Sequence, residues 1–197
     1  MKPLQALLTS LVLAIVTPID GERSRGCSVE PHYSFYNVEG DSIEQIHESL
    51  LSNGPRDERG QARFAYTDWT IEWDWKKRND TRIKADSLQL RCSATIRLPR
   101  LRAKSGMRIE LIRSWNDFVE RTRDHELRHL EHVVSGATRI RSRLKSAETR
   151  PGGLSANTAN KIIQRVVQEI RHFDREYDLR TNHGRTEGTW TVEGVDV

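Results

Sequence analysis

Hydrophobic and polar residues alternate along Ala65 to Trp75, with Thr67, Trp69, Ile71, Trp73 and Trp75 on one face and Tyr66, Asp68, Thr70, Glu72 and Asp74 on the other. This period of two predicts a long, half-buried strand whose tryptophan row covers a core. Leu88 to Leu98 alternates in the same way, with Leu88, Leu90, Cys92, Ala94, Ile96 and Leu98 inward and Pro99 expected to end it. The two strands are expected to pair as antiparallel neighbours. A shorter strand is predicted over His32 to Val38. A helix then starts at Asp41-Ser42, carries Ile43, Ile46, Leu50 and Leu51 on one side, and stops at Asn53-Gly54-Pro55. Gln45, three residues after Ser42, completes a capping box.

The period changes to that of a helix from Ser114 to Leu144, with Ser114 and Asp117 resembling a second capping box. Steps of three and four give Trp115, Val119, Thr122, Glu126, His129, Val133, Ala137, Ile140 and Leu144, and Phe118, Leu130 and Val134 widen the stripe. Glu126 and His129 interrupt this face, with His125 at its edge. Buried polar groups are costly unless they are paired or bound to a metal. The three residues belong to His125-Glu126-Leu127-Arg128-His129, an H-E-x-x-H pattern. Histidines four apart project from one helix face and can reach one metal ion, while the glutamate stands where it can act as a general base. The alternative is a pair of satisfied core histidines.

Arg150-Pro151-Gly152-Gly153 breaks that helix, and Ser155 or Asn157 can cap another running to about Leu179, with Ile163, Val166, Val167, Ile170, Asp174 and Tyr177 inward. So short a break predicts an antiparallel helical hairpin. Equal counts in either direction from the turn bring Asp174, Tyr177 and Asp178 level with His125 and His129. The fold class expected is α+β: an N-terminal antiparallel β-sheet with one short helix, followed by a long C-terminal helical hairpin carrying the motif.

Composition narrows the picture. The chain has 197 residues with a net charge of +4, enough for a single domain with a real core. Arginine is scattered rather than blocked, and no aromatic-basic motif for nucleic acid is present. Lys2 followed by the apolar run Leu4 to Val16 reads as a signal peptide ending at about residue 22. The run is too short for a stable membrane span, so residues 27–197 are expected to form one exported domain, secreted or periplasmic. In that compartment Cys27 and Cys92 are expected to form a disulfide. It would close a loop of about 65 residues and contribute about 3–4 kcal/mol. Asn79-Asp80-Thr81 fits a glycosylation acceptor, relevant only to a eukaryotic route.

Several blocks, in order, resemble a bacterial family of uncharacterised domains described as predicted secreted zinc-dependent proteases. They are Tyr36-Asn37-Val38-Glu39-Gly40, Gly54-Pro55, Ala65-x-Thr67-x-Trp69-x-x-x-Trp73, Cys92, Leu98-Pro99, Trp115 before the H-E-x-x-H pattern, and Tyr177-Asp178-x-x-Thr181-x-His183-Gly184. The resemblance implies a zincin-like domain with one zinc ion per chain, held by His125, His129 and a third ligand. His183, in the closing block, is one candidate. Asp174 or Asp178 on the second helix is another, and Tyr177, His132 or water remain open. A histidine ten residues after His125 would mark a different class, and Ser135 stands there.

The expected function is that of a secreted zinc metallopeptidase. Glu126 would be the general base for a zinc-activated water, Tyr177 or His183 would stabilise the oxyanion, and Asp178 would support a histidine from the second shell. The substrate would be a peptide or protein of the cell envelope. Two other readings stand beside it. One is a zinc-binding, non-catalytic envelope binding or assembly module; the other is a metal-free basic hairpin that binds an anionic polymer.

Overall fold

Three strands and three helices follow one another as β1 (His32–Val38), α1 (Ile43–Asn53), β2 (Tyr66–Trp75), β3 (Leu88–Leu101), α2 (Ile109–Glu148) and α3 (Ala156–Thr181). Single 3-10 turns lie at Ala85–Ser87 and Arg185–Glu187. The computed structural model describes Cys27 and residues 29–57, 59–75 and 82–188. The expected signal peptide and the Asn79 acceptor lie outside the described residues.

The sheet is mixed, in the order β1-β3-β2. β2 and β3 pair antiparallel, with Ile71 opposite Cys92, as their alternation suggests. β1 instead pairs parallel to β3, with Phe35 opposite Leu98, which corrects the expectation of an antiparallel sheet. The physical reason is the connection. α1 and the loop after it take the chain from the end of β1 to the start of β2, at the same end of the sheet and on the other side of β3. β2 then returns it, so β3 runs in the direction of β1. Pro99 does not end β3, which continues to Leu101. β2 reaches only as far as Arg97, so at Pro99 the strand has a neighbour on one side alone, where a missing N–H is tolerated.

α2, at 40 residues, is about 60 Å long and spans three hydrophobic clusters. Its first turns put Leu111, Trp115 and Phe118 against Tyr36 and Val38 of β1 and Ile46 and Leu50 of α1. Leu130, in the middle, meets Ala94, Ile96 and Leu98 of β3. Its last third, with Val133, Ile140 and Leu144, packs on Ile163, Val166 and Ile170 of α3 and on Ile71 of β2. The helix begins five residues before Ser114, with Arg108 as a cap whose side chain makes no capping hydrogen bond. Burial of Leu111 outweighs the local signal of Ser114, which stays exposed. Val134, expected on the buried stripe, is exposed, because the stripe turns toward α3 at that height.

α2 and α3 form the expected hairpin. Contacts pair His125 with Asp178, His129 with Asp174 and Gly136 with Ile170, so the helices run antiparallel. At Gly136 a Cβ would collide with the buried Ile170 side chain, and the glycine permits the close approach. Ser155 caps α3, accepting from the Thr158 N–H at 3.1 Å. The Cys27–Cys92 disulfide, Cα–Cα 5.8 Å, ties the segment ahead of β1 to the central strand. It fits an oxidising environment such as an exported chain meets. No helix among the described residues is long and apolar enough to cross a membrane.

Candidate metal centre

The H-E-x-x-H residues lie midway along α2, where that helix is sandwiched between β2 and α3. All three polar side chains are buried. The Nε2 atoms of His125 and His129 converge on one oxygen of α3, Asp178 Oδ1, at 3.1 and 3.2 Å. Their Nδ1 atoms turn away from each other to separate carboxylates. His129 Nδ1 lies 3.1 Å from Asp174 Oδ1, and His125 Nδ1 lies 2.9 Å from Glu187 Oε2. Ligand atoms of His125, His129 and Asp178 fall within 4.8 Å of one another, as do those of His129, His132 and Asp174, so each group could hold a metal ion.

A further layer of donors fixes the carboxylates. The Trp69 indole of β2 donates to Asp174 Oδ2 at 2.9 Å, and the Thr67 hydroxyl donates to Glu126 Oε2 at 2.6 Å. Trp73 donates to Asn160 of α3 at 2.9 Å. The inward face of β2 is therefore core cover and polar brace together. The Tyr177 ring stacks on His125, centroids 4.7 Å apart, and its hydroxyl donates to Glu187 at 2.9 Å.

His183 sits in the turn after α3, its Nδ1 3.8 Å from Asp178 Oδ2 and outside both convergent groups. Asn182, His183 and Gly184 are three consecutive left-handed residues, at φ 48°, 55° and 84°. Non-glycine residues in that region cost of order 1–3 kcal/mol each and persist where surrounding contacts hold them. Here Thr181 does so: its hydroxyl donates to the Tyr177 carbonyl at 2.8 Å and accepts from the Gly184 N–H at 3.2 Å. The turn directs the chain so that Glu187 returns to His125.

Electrostatics follow from this packing. Burial disfavours charge on His129, yet hydrogen bonds to Asp174 and Asp178 outweigh it and push its pKa up to about 10. Burial also works against charge on His125, and Asp178 and Glu187 more than offset it, so its pKa rises. Burial alone would raise Asp178, but its bonds to the two histidines hold it well below the usual carboxylate range. Asp174 is lowered in the same way, burial being overcome by His129 and His132. Glu126 goes the other way: burial raises its pKa against the opposing pull of His129 and the Thr67 hydroxyl. Burial and the Arg63 charge lower the pKa of His183. The set is built to hold positive charge, as protons or as a cation.

The donor chemistry fits a borderline divalent metal such as zinc, which takes imidazole nitrogen and carboxylate oxygen in combination. Buried histidines whose second nitrogens are each bound by a carboxylate are the usual outer-shell arrangement of such a ligand set. Sequence reasoning brought His125, Glu126, His129, Asp174, Tyr177 and Asp178 to one level. In the structure His125, His129, Asp174, Tyr177 and Asp178 are linked by contacts, while the Glu126 carboxylate beside them is held by Thr67. Sequence reasoning did not find Glu187 or the bonds made by Thr67 and Trp69. Their alternation with exposed residues marked the last two as inward, but periodicity names no partner.

An α+β domain with a histidine-carboxylate cluster at the open end of a helical hairpin is thus defined. Residues 33–184 match the model of a family described as "Bacterial protein of unknown function (DUF922)", and the chain belongs to that family. No curated protein and no solved structure matches the chain.

Proposed function

We propose that the protein is an exported, zincin-like zinc metallopeptidase. The observation that carries this reading is the pair of Nε2 atoms converging on Asp178 Oδ1 while both Nδ1 atoms are held by carboxylates. His125, His129 and Asp178 would hold one zinc ion, with Asp174 and Glu187 orienting the two imidazoles. This assigns Asp178 as the third ligand in preference to His183, whose nitrogen stands beside the carboxylate rather than among the convergent atoms. Bound there, zinc would polarise a scissile carbonyl and lower the pKa of a water to about 7.

The chain's own groups supply the remaining chemistry. Glu126, one residue after the first ligand, accepts a proton from the attacking water and passes it to the leaving amine. The Thr67 hydroxyl fixes which carboxylate oxygen is used. Burial raises the Glu126 pKa, the direction that suits a group which must both take up and release a proton. The Tyr177 hydroxyl is engaged by Glu187, so His183 is the better placed oxyanion donor, and its depressed pKa leaves a neutral ring N–H for that role. The disulfide and the sequence of residues 1–22 support export, and a peptide or protein of the envelope is the substrate class proposed.

Zinc content and peptide hydrolysis test the reading together. One zinc per chain is expected in wild type and should be lost in His129→Ala and Asp178→Ala. Glu126→Gln should keep the ion and lose hydrolysis. A zinc-loaded wild type that cleaves no peptide in a mixed library would replace the enzyme with a zinc-binding envelope module. No zinc in wild type, even when it is supplied, would end the metal reading.

A further inference from the structure

His132 lies three residues beyond His129 on α2 and is not among the residues proposed to hold the zinc ion. Its Nδ1 is 2.7 Å from Asp174 Oδ1, the oxygen that also takes His129 Nδ1 at 3.1 Å. The ligand atoms of these three residues lie within 4.8 Å of one another. Two imidazole nitrogens and a carboxylate oxygen are again a donor set for a borderline divalent ion. The His132 side chain is 29% exposed, so an ion can reach it from solvent without passing the buried cluster. Asp174 is fixed from the far side by Trp69, which leaves Oδ1 facing the two histidines.

We propose that His132, Asp174 and Nδ1 of His129 form a second, weaker site for a divalent transition-metal ion, and that filling it antagonises the first. The two sites share His129 through different atoms. When His129 ligates through Nε2, its remaining proton sits on Nδ1 and is held by Asp174. An ion bound to His132 and Asp174 engages the same Asp174 oxygen that otherwise holds His129 Nδ1. Two like charges then compete for one imidazole, which makes the second site the weaker. The first ion loses its orienting carboxylate, a change that typically weakens such a site about 10–100-fold. The existence of the second site stands on its own geometry, and only the antagonism rests on the zinc reading above.

The test is a titration of the metal-stripped full chain with zinc alone, followed by native mass spectrometry, beside His132→Gln and His172→Ala. Wild type and His172→Ala should take up two ions, the second at least tenfold more weakly, and peptide hydrolysis should rise with the first and fall with the second. His132→Gln should keep the first ion, lose the second, and show no fall in hydrolysis at excess zinc. A wild type with no His132-dependent equivalent overturns the proposal, as does a second ion that survives in His132→Gln. Loss of the tight equivalent alone, with a His132-dependent ion remaining, would overturn the antagonism and the zinc reading of the buried site while leaving the second site standing.

Discussion

The indole Nε1 of Trp69 donates to Asp174 Oδ2 at 2.9 Å, across 105 positions of sequence. Because Asp174 offers its other oxygen to His129, a tryptophan in a strand sets the ring orientation of a histidine in a helix. Trp69→Phe keeps the packing and deletes the donor, so it should destabilise the fold by about 1 kcal/mol and weaken zinc binding severalfold. Asp174→Ala, which removes the carboxylate itself, should weaken zinc about 10–100-fold. Competition for zinc with a chromophoric chelator measures both, and equal affinities across the three proteins would detach Asp174 from the site.

Glu187 is expected to behave like Asp174, although it belongs to a different element. It binds His125 Nδ1 and the Tyr177 hydroxyl at once. Glu187→Ala should reduce zinc affinity by about the same 10–100-fold with little change in thermal stability of the zinc-free protein, since the residue is exposed. Undiminished zinc affinity in that variant would show that the turn after α3 does not serve the centre.

Glu126→Gln should lower hydrolysis by about 10²–10⁴-fold, the range of general acid-base assistance, with zinc retained. Thr67→Val should produce a smaller loss, expressed in kcat rather than KM, because it frees the carboxylate without removing it. Hydrolysis by Glu126→Gln at the wild-type rate, with zinc bound, would exclude Glu126 as the base.

Replacing Cys27 and Cys92 by serine should cost about 3–4 kcal/mol of stability for a loop of this length. The measurement is denaturant unfolding of the double variant against the oxidised wild type. The candidate metal-binding residues lie on other elements, so any metal affinity should hold wherever the variant is folded.

A pH effect is expected at the α2–α3 ion pair. The Arg143 guanidinium, bonded to Glu169 Oε1 at 2.7 Å, outweighs burial and holds the Glu169 pKa below its ordinary value. A depressed carboxylate contributes stability above its unfolded pKa, about 4.3, and that contribution is lost as pH falls through the lower folded value. The pair is near the surface, so Glu169→Gln should destabilise by under about 1 kcal/mol at pH 7. The difference should shrink as pH falls below about 4.3 and be gone only below the depressed folded value. Unfolding midpoints of the two proteins at pH 7 and pH 3 provide the check.

Much of this was legible in the order of residues, and the failures have physical causes. Ser42 and Gln45 did cap α1: Ser42 Oγ accepts from the Gln45 N–H, and Gln45 Oε1 accepts from the Asp41 N–H at 3.1 Å. Ser114 carried an equally good local signal and lost, because Leu111 gains more by burial than a solvent-facing cap gives back. The two alternating segments revealed which side chains turn inward, while the parallel partnership of β1 depends on β3 lying between β1 and β2, which has no local signature. Glu126, His129 and Asp174 were visible as polar residues breaking apolar stripes, with His125 at the edge of one, and Asp178 as a residue level with them by counting from the turn. Glu187 was not, since an acidic residue in a glycine-bearing turn has no stripe to break.

The bonds that build the centre link residues 59 and 105 positions apart, from Thr67 to Glu126 and from Trp69 to Asp174. Contacts so distant in sequence have to wait for long loops to close and form late in folding. A partly made chain therefore has His125 and His129 without all their carboxylate partners until Glu187 has been added. If the protein hydrolyses peptides, it is latent throughout its own synthesis: the delay is set by topology, with no need for a separate inhibitory segment.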